Sequence, residues 1–183
     1  MHRKMTLLVL IMILLTACTA KAPDVQDVWE PYIGTCVGDN GNVSAVANNV
    51  LDLGDTIDHF DLRGEVLHII YRSDNESLKK WFDTARTMKE TIIYNAMMAA
   101  VFVPNAYGYA FSIDDVLFEV TREALITEMS ALFETIPQEN EFFDKAIVSK
   151  FLQLQEHEIR KYAKDITYQK SFFSKFPLSK IEK

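Results

Sequence analysis

The chain has 183 residues and a formal net charge of −7, with 26 acidic residues against 19 basic ones. This length is typical of one domain and is enough to bury a hydrophobic core. The acidic balance argues against a nucleic-acid partner, because binding to phosphates needs a basic face.

The N-terminal segment has the features of a secretory signal. Two basic residues, Arg3 and Lys4, precede an uninterrupted apolar run at Leu7–Leu15. That run is too short to cross a bilayer, since a spanning helix needs ~20 apolar residues. We therefore expect a segment that directs export and is then removed.

The sequence Leu-Thr-Ala-Cys at Leu15–Cys18 resembles the bacterial lipobox. This resemblance implies removal of residues 1–17, a diacylglyceryl group on Cys18, and a location at the extracytoplasmic face of the cell membrane. Two acyl chains, at ~0.8 kcal/mol per buried methylene, anchor a protein stably. The alternative is an ordinary signal in which Cys18 is a chance residue.

The mature chain divides into a tether, a domain and a tail. Residues 18–27 are polar, contain a proline and have no hydrophobic period, so they are interpreted as a tether. Residues 28–166 are expected to form one α+β domain. With Cys18 modified, Cys36 is a lone thiol that cannot form an internal disulfide, and a small, partly buried apolar role is favoured for it.

The first half of the domain alternates helical and extended patterns. From Asn42 the apolar residues follow the spacing of a helix with one buried face, which Asp39, Asn40 or Asn42 would cap. Strands are predicted at Ile57–Leu62 and Val66–Tyr71, joined by a turn that contains glycine. A helical stretch carrying Leu78, Trp81, Phe82 and Ala85 follows.

The second half repeats this order of elements. The segment Lys89–Val103 predicts a central helix, whose last eight residues are wholly apolar and should be buried nearly all round. Strands are expected at Tyr107–Ile113 and Val116–Val120, and Thr121 is expected to cap a helix over Arg122–Phe133. Hairpins separated by helices predict an α+β fold with an antiparallel or mixed sheet.

A long C-terminal helix is predicted from Gln138 to about Asp165. The residues expected to share its apolar stripe are Phe143, Ile147, Phe151, Leu154, Tyr162 and Ile166. The remaining residues, 167–183, combine lysines with aromatic residues, as membrane interfaces and partner grooves do. The candidate contacts are Lys170, Phe172, Phe173, Lys175 and Phe176. The alternative is a tail whose aromatic residues pack on the domain.

Three separated motifs support a family resemblance. Tyr32–Gly34 with Val37–Asn40, then Lys89–Ala96, then Val120–Glu123 together resemble the bacterial domain of unknown function 4825 over residues 29–133. The resemblance implies small lipoproteins of Gram-positive-type bacteria, or extracellular domains attached to membrane sensor peptidases. It implies no activity, ligand or catalytic residue.

Candidates for chemistry are few. A group of oxygen and nitrogen ligands lies close together in sequence: Asp52, Asp55, Asp58, His59 and Asp61. Their spacing matches no calcium loop, because the central glycine and terminal glutamate are missing, and a solvated acidic surface is the favoured interpretation. A Cys36 nucleophile with His59 or His68 as base is a second, weaker candidate.

Asn95 is the most informative polar residue, because it interrupts an otherwise apolar helix. A buried amide must find partners, since an unmatched one costs ~1 to 3 kcal/mol. We expect Asn95 to tie the helix to neighbouring backbone rather than to bind a ligand.

The sequence as a whole predicts a non-enzymatic binding or sensing lipoprotein with no cofactor. Its expected partners are membrane lipid, through diacylglyceryl-Cys18, and an envelope protein or peptide. The alternatives are a small envelope hydrolase or metal-dependent enzyme, built on the acidic group or on Cys36, and an immunity or resistance lipoprotein that intercepts a toxic peptide.

Overall fold

The structure is a computed structural model that describes residues 28–72, 76, 78–79 and 87–181. The predicted signal and the whole predicted tether, which includes Cys18, lie outside these residues. So do Trp81, Phe82 and Ala85 of the second predicted helix, of which only isolated positions are described.

The described chain contains a mixed five-stranded sheet. Its strands, in spatial as well as chain order, are β1 (Ile57–Asp61), β2 (Val66–Tyr71), β3 (Gly108–Ile113), β4 (Val116–Thr121) and β5 (Ser179–Lys180). β2 and β3 pair in parallel, and the other neighbours pair antiparallel. The two predicted hairpins are therefore confirmed, and one parallel pairing joins them into a single α+β fold.

Side-chain caps begin the main helices. α1 (Asn40–Asn49), α2 (Met88–Phe102) and α3 (Arg122–Leu132) start after Asp39, Thr87 and Thr121, whose side chains accept hydrogen bonds from first-turn N–H groups. The predicted caps at Asp39 and Thr121 are confirmed.

α2 is the centre of the hydrophobic core. All its residues from Glu90 to Phe102 are buried, because the helix contacts β3 and also packs against α3 and two later helices. The prediction of a helix buried nearly all round is confirmed. Because α2 is buried on every side, the polar side chains that it carries into the core are held in fixed positions.

The C-terminal region differs from the prediction in where the long helix begins. A short 3-10 helix covers Glu139–Phe143, and α4 (Lys145–Lys164) starts after Asp144, which accepts hydrogen bonds from Ala146 and Ile147. The predicted continuous helix from Gln138 is wrong at this end, because the Asp144 carboxylate caps the backbone here.

The predicted apolar stripe of this helix is also largely wrong. The residues that α4 buries are Val148, Phe151, Leu152, Ile159 and Ala163. Four members of the predicted stripe are exposed: Phe143, Ile147, Leu154 and Ile166. Phe151 alone belongs to both sets, because the buried face is rotated relative to the stripe that we predicted.

The final described residues belong to the domain. α5 (Ile166–Lys175) is capped by Asp165 and places Phe172 among Phe118, Tyr168, Phe173 and Phe176, at centroid separations of 5.0 to 5.9 Å. β5 then pairs with β4. Residues 167–183 were predicted to form a tail separate from the domain. This prediction is wrong for the described residues 167–181, because their aromatic side chains pack in or against the core.

Candidate functional site

The register between β3 and β4 positions the first residue of α3. Gly108 pairs with Thr121, and a Cβ atom at Gly108 would meet the Val120 carbonyl oxygen at 2.8 Å, so only glycine allows this close approach. The Arg122 N–H then donates to the Tyr107 carbonyl oxygen at 2.9 Å. The start of α3 is thereby fixed beside the end of the α2–β3 connection.

Arg122 is buried, with 6% of its surface exposed. Its Nε donates to the Pro104 carbonyl oxygen and lies 3.4 Å from Oε1 of Glu139, and its guanidinium lies 4.6 Å from the centroid of the Phe142 ring. Nη1 and Nη2 are completely buried and have no partner at hydrogen-bond geometry among the described residues, although the Tyr109 hydroxyl is close enough for the guanidinium to oppose the rise that burial causes in the Tyr109 pKa. A buried group in this condition is uncommon, because an unmatched donor loses its hydration without replacement.

Arg122 and Glu139 line a surface cleft of about 450 Å³. Its lining residues in the described chain belong to the α2–β3 connection, the end of β4, α3 and the 3-10 helix: Ala106, Tyr107, Thr121, Arg122, Glu123, Ile126, Thr127 and Glu139. Tyr107 is 67% exposed, and the Glu139 side chain is 77% exposed. A buried cation thus borders a cleft that an exposed aromatic ring and two carboxylates also line.

A second arginine, which is only partly buried, has a different environment. The Arg160 guanidinium of α4 lies 3.6 Å from the centroid of the Tyr94 ring. Its Nε donates to Glu156 at 2.6 Å, and its Nη1 lies 3.4 Å from both carboxylate oxygens of Asp52. Burial raises the pKa of Tyr94, whose hydroxyl lies 3.3 Å from Glu156. This cluster joins α2 and α4 to the loop after α1.

Asn95 anchors the same loop, as the sequence predicts. Its Oδ1 accepts from the Asp52 N–H at 2.8 Å, and its Nδ2 donates to the Asp52 carbonyl oxygen at 2.9 Å and to the Tyr71 hydroxyl at 3.0 Å. The prediction that this buried amide ties α2 to neighbouring backbone is confirmed. Asn95 has 1% of its surface exposed.

The predicted acidic group is divided among separate partners. Asp52 faces Arg160, whereas Asp58 pairs with its neighbour His59 at 2.8 Å. Asp55 is exposed. Within residues 28–72, 76, 78–79 and 87–181, no three His, Cys, Asp or Glu side chains form a group that could hold a metal ion.

Asp61, the last member of the group, is held by the connection after β1. Nε of Arg63 donates to its carboxylate at 2.9 Å, and hydrogen bonds from Arg63 hold the Asp61 pKa well below its usual range. The five side chains therefore do not converge, because their partners lie on different elements.

Cys36 and the two histidines also have separate environments. Cys36 is exposed, contrary to the favoured expectation of a partly buried thiol. Nε2 of His68 lies 2.7 Å from the Ser112 hydroxyl on the neighbouring strand, and burial lowers the pKa of His68. His59 contacts Asp58, as described above.

The structure corrects one of the candidate membrane or partner contacts. Phe172 is fully buried and cannot contact a membrane, because four aromatic rings surround it. Phe173 and Phe176 are partly buried against the core. Lys175 pairs with Glu128 at 2.7 Å, and Lys170 is exposed.

A second concavity of about 410 Å³ lies beside α4 and contains more apolar side chains than the Arg122 cleft. Its lining includes Ile136, Pro137 and the two exposed residues Ile147 and Leu154.

In the described part of the chain, no helix combines the length and the apolar character that crossing a membrane requires.

Sequence reasoning missed Arg122 as a site residue. The signal for its burial is dispersed, since its contacts come from Pro104, Glu139 and Phe142, 17 or more residues away along the chain. An arginine at the start of a helix is ordinarily exposed.

Comparisons with known proteins give no match. No family model matches the chain, and neither the curated proteins nor the solved structures contain a match. The resemblance to the domain of unknown function 4825 therefore rests on the three sequence motifs alone.

Proposed function

We propose that the chain is a non-enzymatic binding protein, held at the extracytoplasmic face of the cell membrane by a diacylglyceryl group on Cys18. The anchor is supported by the basic start, the short apolar run and the Leu-Thr-Ala-Cys sequence at Leu15–Cys18. The domain, attached by its tether of residues 18–27, would bind a protein or peptide partner in the envelope.

The observation that carries the binding role is the cleft beside Arg122. A concave site bordered by a few polar groups and an aromatic ring is the common form of a ligand site. The residues of the alternative metal or hydrolase centre have other roles, since Asp52 and Asp61 each face an arginine. Binding is therefore the function that the geometry supports best.

The anchor is tested by intact-mass spectrometry of the chain extracted from membranes. We expect a mature chain that begins at Cys18 and carries the diacylglyceryl mass on that residue. Cys18→Ser should abolish both the processing and the added mass, whereas the matched variant Cys36→Ser should retain them. An unmodified Cys18 thiol in the wild-type chain would contradict the anchor.

The location is tested on intact cells by treatment with a protease that does not enter them. We expect the domain to be degraded, together with a surface control protein, while a cytoplasmic control stays intact. Protection of the domain until the cells are lysed would contradict an extracytoplasmic location.

A further inference from the structure

The outer side of α4 carries exposed apolar side chains beside a groove. Ile147 and Leu154 are 36% and 56% exposed, and both line the concavity of about 410 Å³ next to this helix. Ile136 and Pro137 line it as well. Single exposed aliphatic side chains are common, but several of them around one groove indicate a surface that another chain buries.

Charged residues flank Leu154 on the same side of the helix. Residues four apart form one row along a helix surface, so Lys150, Leu154 and Glu158 make up a continuous ridge, named here the α4 ridge. Lys150 is exposed, and 37% of the Glu158 side chain is exposed. The α4 ridge therefore presents a cation, an aliphatic group and an anion in that order.

The charges of the α4 ridge are available to a partner. Within the described part of the chain, α4 forms its ion pairs through Arg160 and Lys161, and none through Lys150. Nζ of Lys161 lies 2.9 Å from Glu158, and 68% of the Lys161 side chain is exposed. Because an exposed pair of this kind is weak and a carboxylate has two oxygens, Glu158 can accept a second cation.

The order of these side chains is complementary to itself when reversed. A two-fold axis brings the same patch of two subunits together, so that residue i contacts j and j contacts i. When two antiparallel α4 ridges pack side by side, Leu154 contacts Leu154 of the second copy, and Lys150 of each copy faces Glu158 of the other. A parallel arrangement would instead place Lys150 against Lys150.

We propose that α4 binds a second copy of this chain, through antiparallel packing of the two α4 ridges about a two-fold axis near Leu154. Leu154 of each copy enters the concavity beside Ile147 of the other, and two Lys150–Glu158 pairs flank this contact.

The anchor proposed above affects only the concentration at which this dimer forms. One ridge and its groove are small beside the ~800 Å² per partner of a standard interface, so the dimer is weak in dilute solution. Attachment to one membrane raises the effective concentration of the chains. We therefore expect the dimer to be populated at the membrane.

The experiment is site-directed disulfide cross-linking of the full chain in the membranes of the cells that produce it. The parent is Cys36→Ser, which removes the exposed thiol of the described chain. Leu154→Cys in this parent places a thiol near the axis. Gln153→Cys is the matched control, because it is exposed but lies about 100° away around the helix.

Oxidation should link the first variant and not the second. We expect a reducible product of twice the chain mass, formed at least about fivefold more from Leu154→Cys than from Gln153→Cys, since a disulfide needs Cα atoms within ~7 Å.

Charge reversal tests the pairing. In the Leu154→Cys chain, Lys150→Glu should lower the yield of the product at least about threefold, because it sets like charges against each other. Adding Glu158→Lys should restore the yield, since the reversed ridge is again self-complementary. Lys164→Glu is the matched control: it changes the net charge equally at an exposed position outside the α4 ridge, and should leave the yield unchanged.

The inference is overturned if Leu154→Cys cross-links no more than Gln153→Cys, if Lys150→Glu leaves the yield unchanged, or if the double reversal fails to restore it. A cross-linked product whose mass differs from twice that of the chain would identify another occupant and overturn it as well. The mass of Cys18 reports on the anchor separately, so an unlipidated chain contradicts the proposed function whether or not α4 cross-links.

Discussion

Two arginines lie against aromatic rings, the half-buried Arg160 and the buried Arg122, and they differ in how their donors are used. Arg160 contacts two carboxylates, those of Glu156 and Asp52. Arg122 has one loosely placed carboxylate, and two of its nitrogens lack partners within the described chain. The Arg160 guanidinium is thus compensated within the fold, whereas two donors of Arg122 are buried without a hydrogen-bond partner in the described chain.

This difference predicts how strongly each arginine contributes to the stability of the fold. Removing one member of a satisfied buried pair is costly, because the remaining charge loses its compensation. Replacing an unsatisfied buried charge by an apolar group of similar size is nearly neutral, since the folded state loses little and gains packing. We therefore expect substitutions in the Arg160 cluster to destabilise the fold more than substitution of Arg122.

The largest effect is expected in the Arg160 region, from Asn95→Leu. The change removes three hydrogen bonds and leaves the buried backbone groups of Asp52 without their amide partner. We expect a loss of about 3 kcal/mol in the free energy of unfolding, measured by urea denaturation. Asn49→Leu, at an exposed position of α1, is the matched control and should change stability little. Unchanged melting of Asn95→Leu would refute the anchoring role.

Arg160→Met is expected to cost less. Asp52, whose side chain is 9% exposed, loses the guanidinium that faces it, and Tyr94 loses its cation–π contact. We expect a decrease of about 2 kcal/mol in the free energy of unfolding. The control Arg63→Met alters an exposed pair with Asp61 and should leave the melting temperature almost unchanged. Equal effects of the two variants would contradict a structural role for Arg160.

Alkaline pH tests the burial of Tyr94 beside Arg160. Burial raises the pKa of Tyr94 above its ordinary value of about 10, so above this pH the unfolded chain releases a proton that the folded chain keeps. Stability should therefore be complete below pH ~10 and fall by about 1.4 kcal/mol per pH unit above it for this one proton. Urea denaturation at several pH values measures the slope.

Tyr94→Phe provides the control for this slope. The variant should lose stability less steeply with rising pH, although burial also raises the pKa of Tyr71 and Tyr109. An identical slope in the wild type and the variant would show that Tyr94 ionises freely in the folded state.

The smallest effect on stability is expected for Arg122→Met. The variant loses the hydrogen bond to Pro104, but it also removes two buried donors that have no partner. We expect the free energy of unfolding to change by less than about 1 kcal/mol, well below the effect of Arg160→Met in the same urea assay. A loss as large as that of Arg160→Met would mean that Arg122 serves the fold.

The sequence was sufficient for the local elements of the fold. The hairpins follow from runs of β-branched and aromatic residues around a turn, and the caps at Asp39 and Thr121 follow from short polar side chains before apolar periods. The buried helix α2 follows from its wholly apolar second half. These features depend on neighbouring residues, so the sequence pattern contains them.

The features that the sequence analysis missed depend on distant contacts. The two-residue strand β5 is too short for any pattern to predict, and the burial of Phe172 requires Phe118 from β4. The phase of α4 was mispredicted because its exposed side chains Ile147 and Leu154 are apolar, as many surface residues are.

The residues of the candidate site also differ in whether the sequence alone could predict their roles. Asn95 could be predicted, because an amide inside an apolar helix is visible in the sequence. Arg122 could not, because its environment comes from a carbonyl before β3 and from a 3-10 helix after α3. A buried charge is recognised only when these segments are brought together.

The most direct test of the contrast between the two arginines is a comparison of Arg160→Met and Arg122→Met with the wild type in one urea-denaturation series. We predict that Arg160→Met lowers the free energy of unfolding by about 2 kcal/mol, whereas Arg122→Met changes it by less than about 1 kcal/mol. Equal losses in the two variants would contradict the claim that the Arg160 guanidinium is compensated within the fold and that two donors of Arg122 are not.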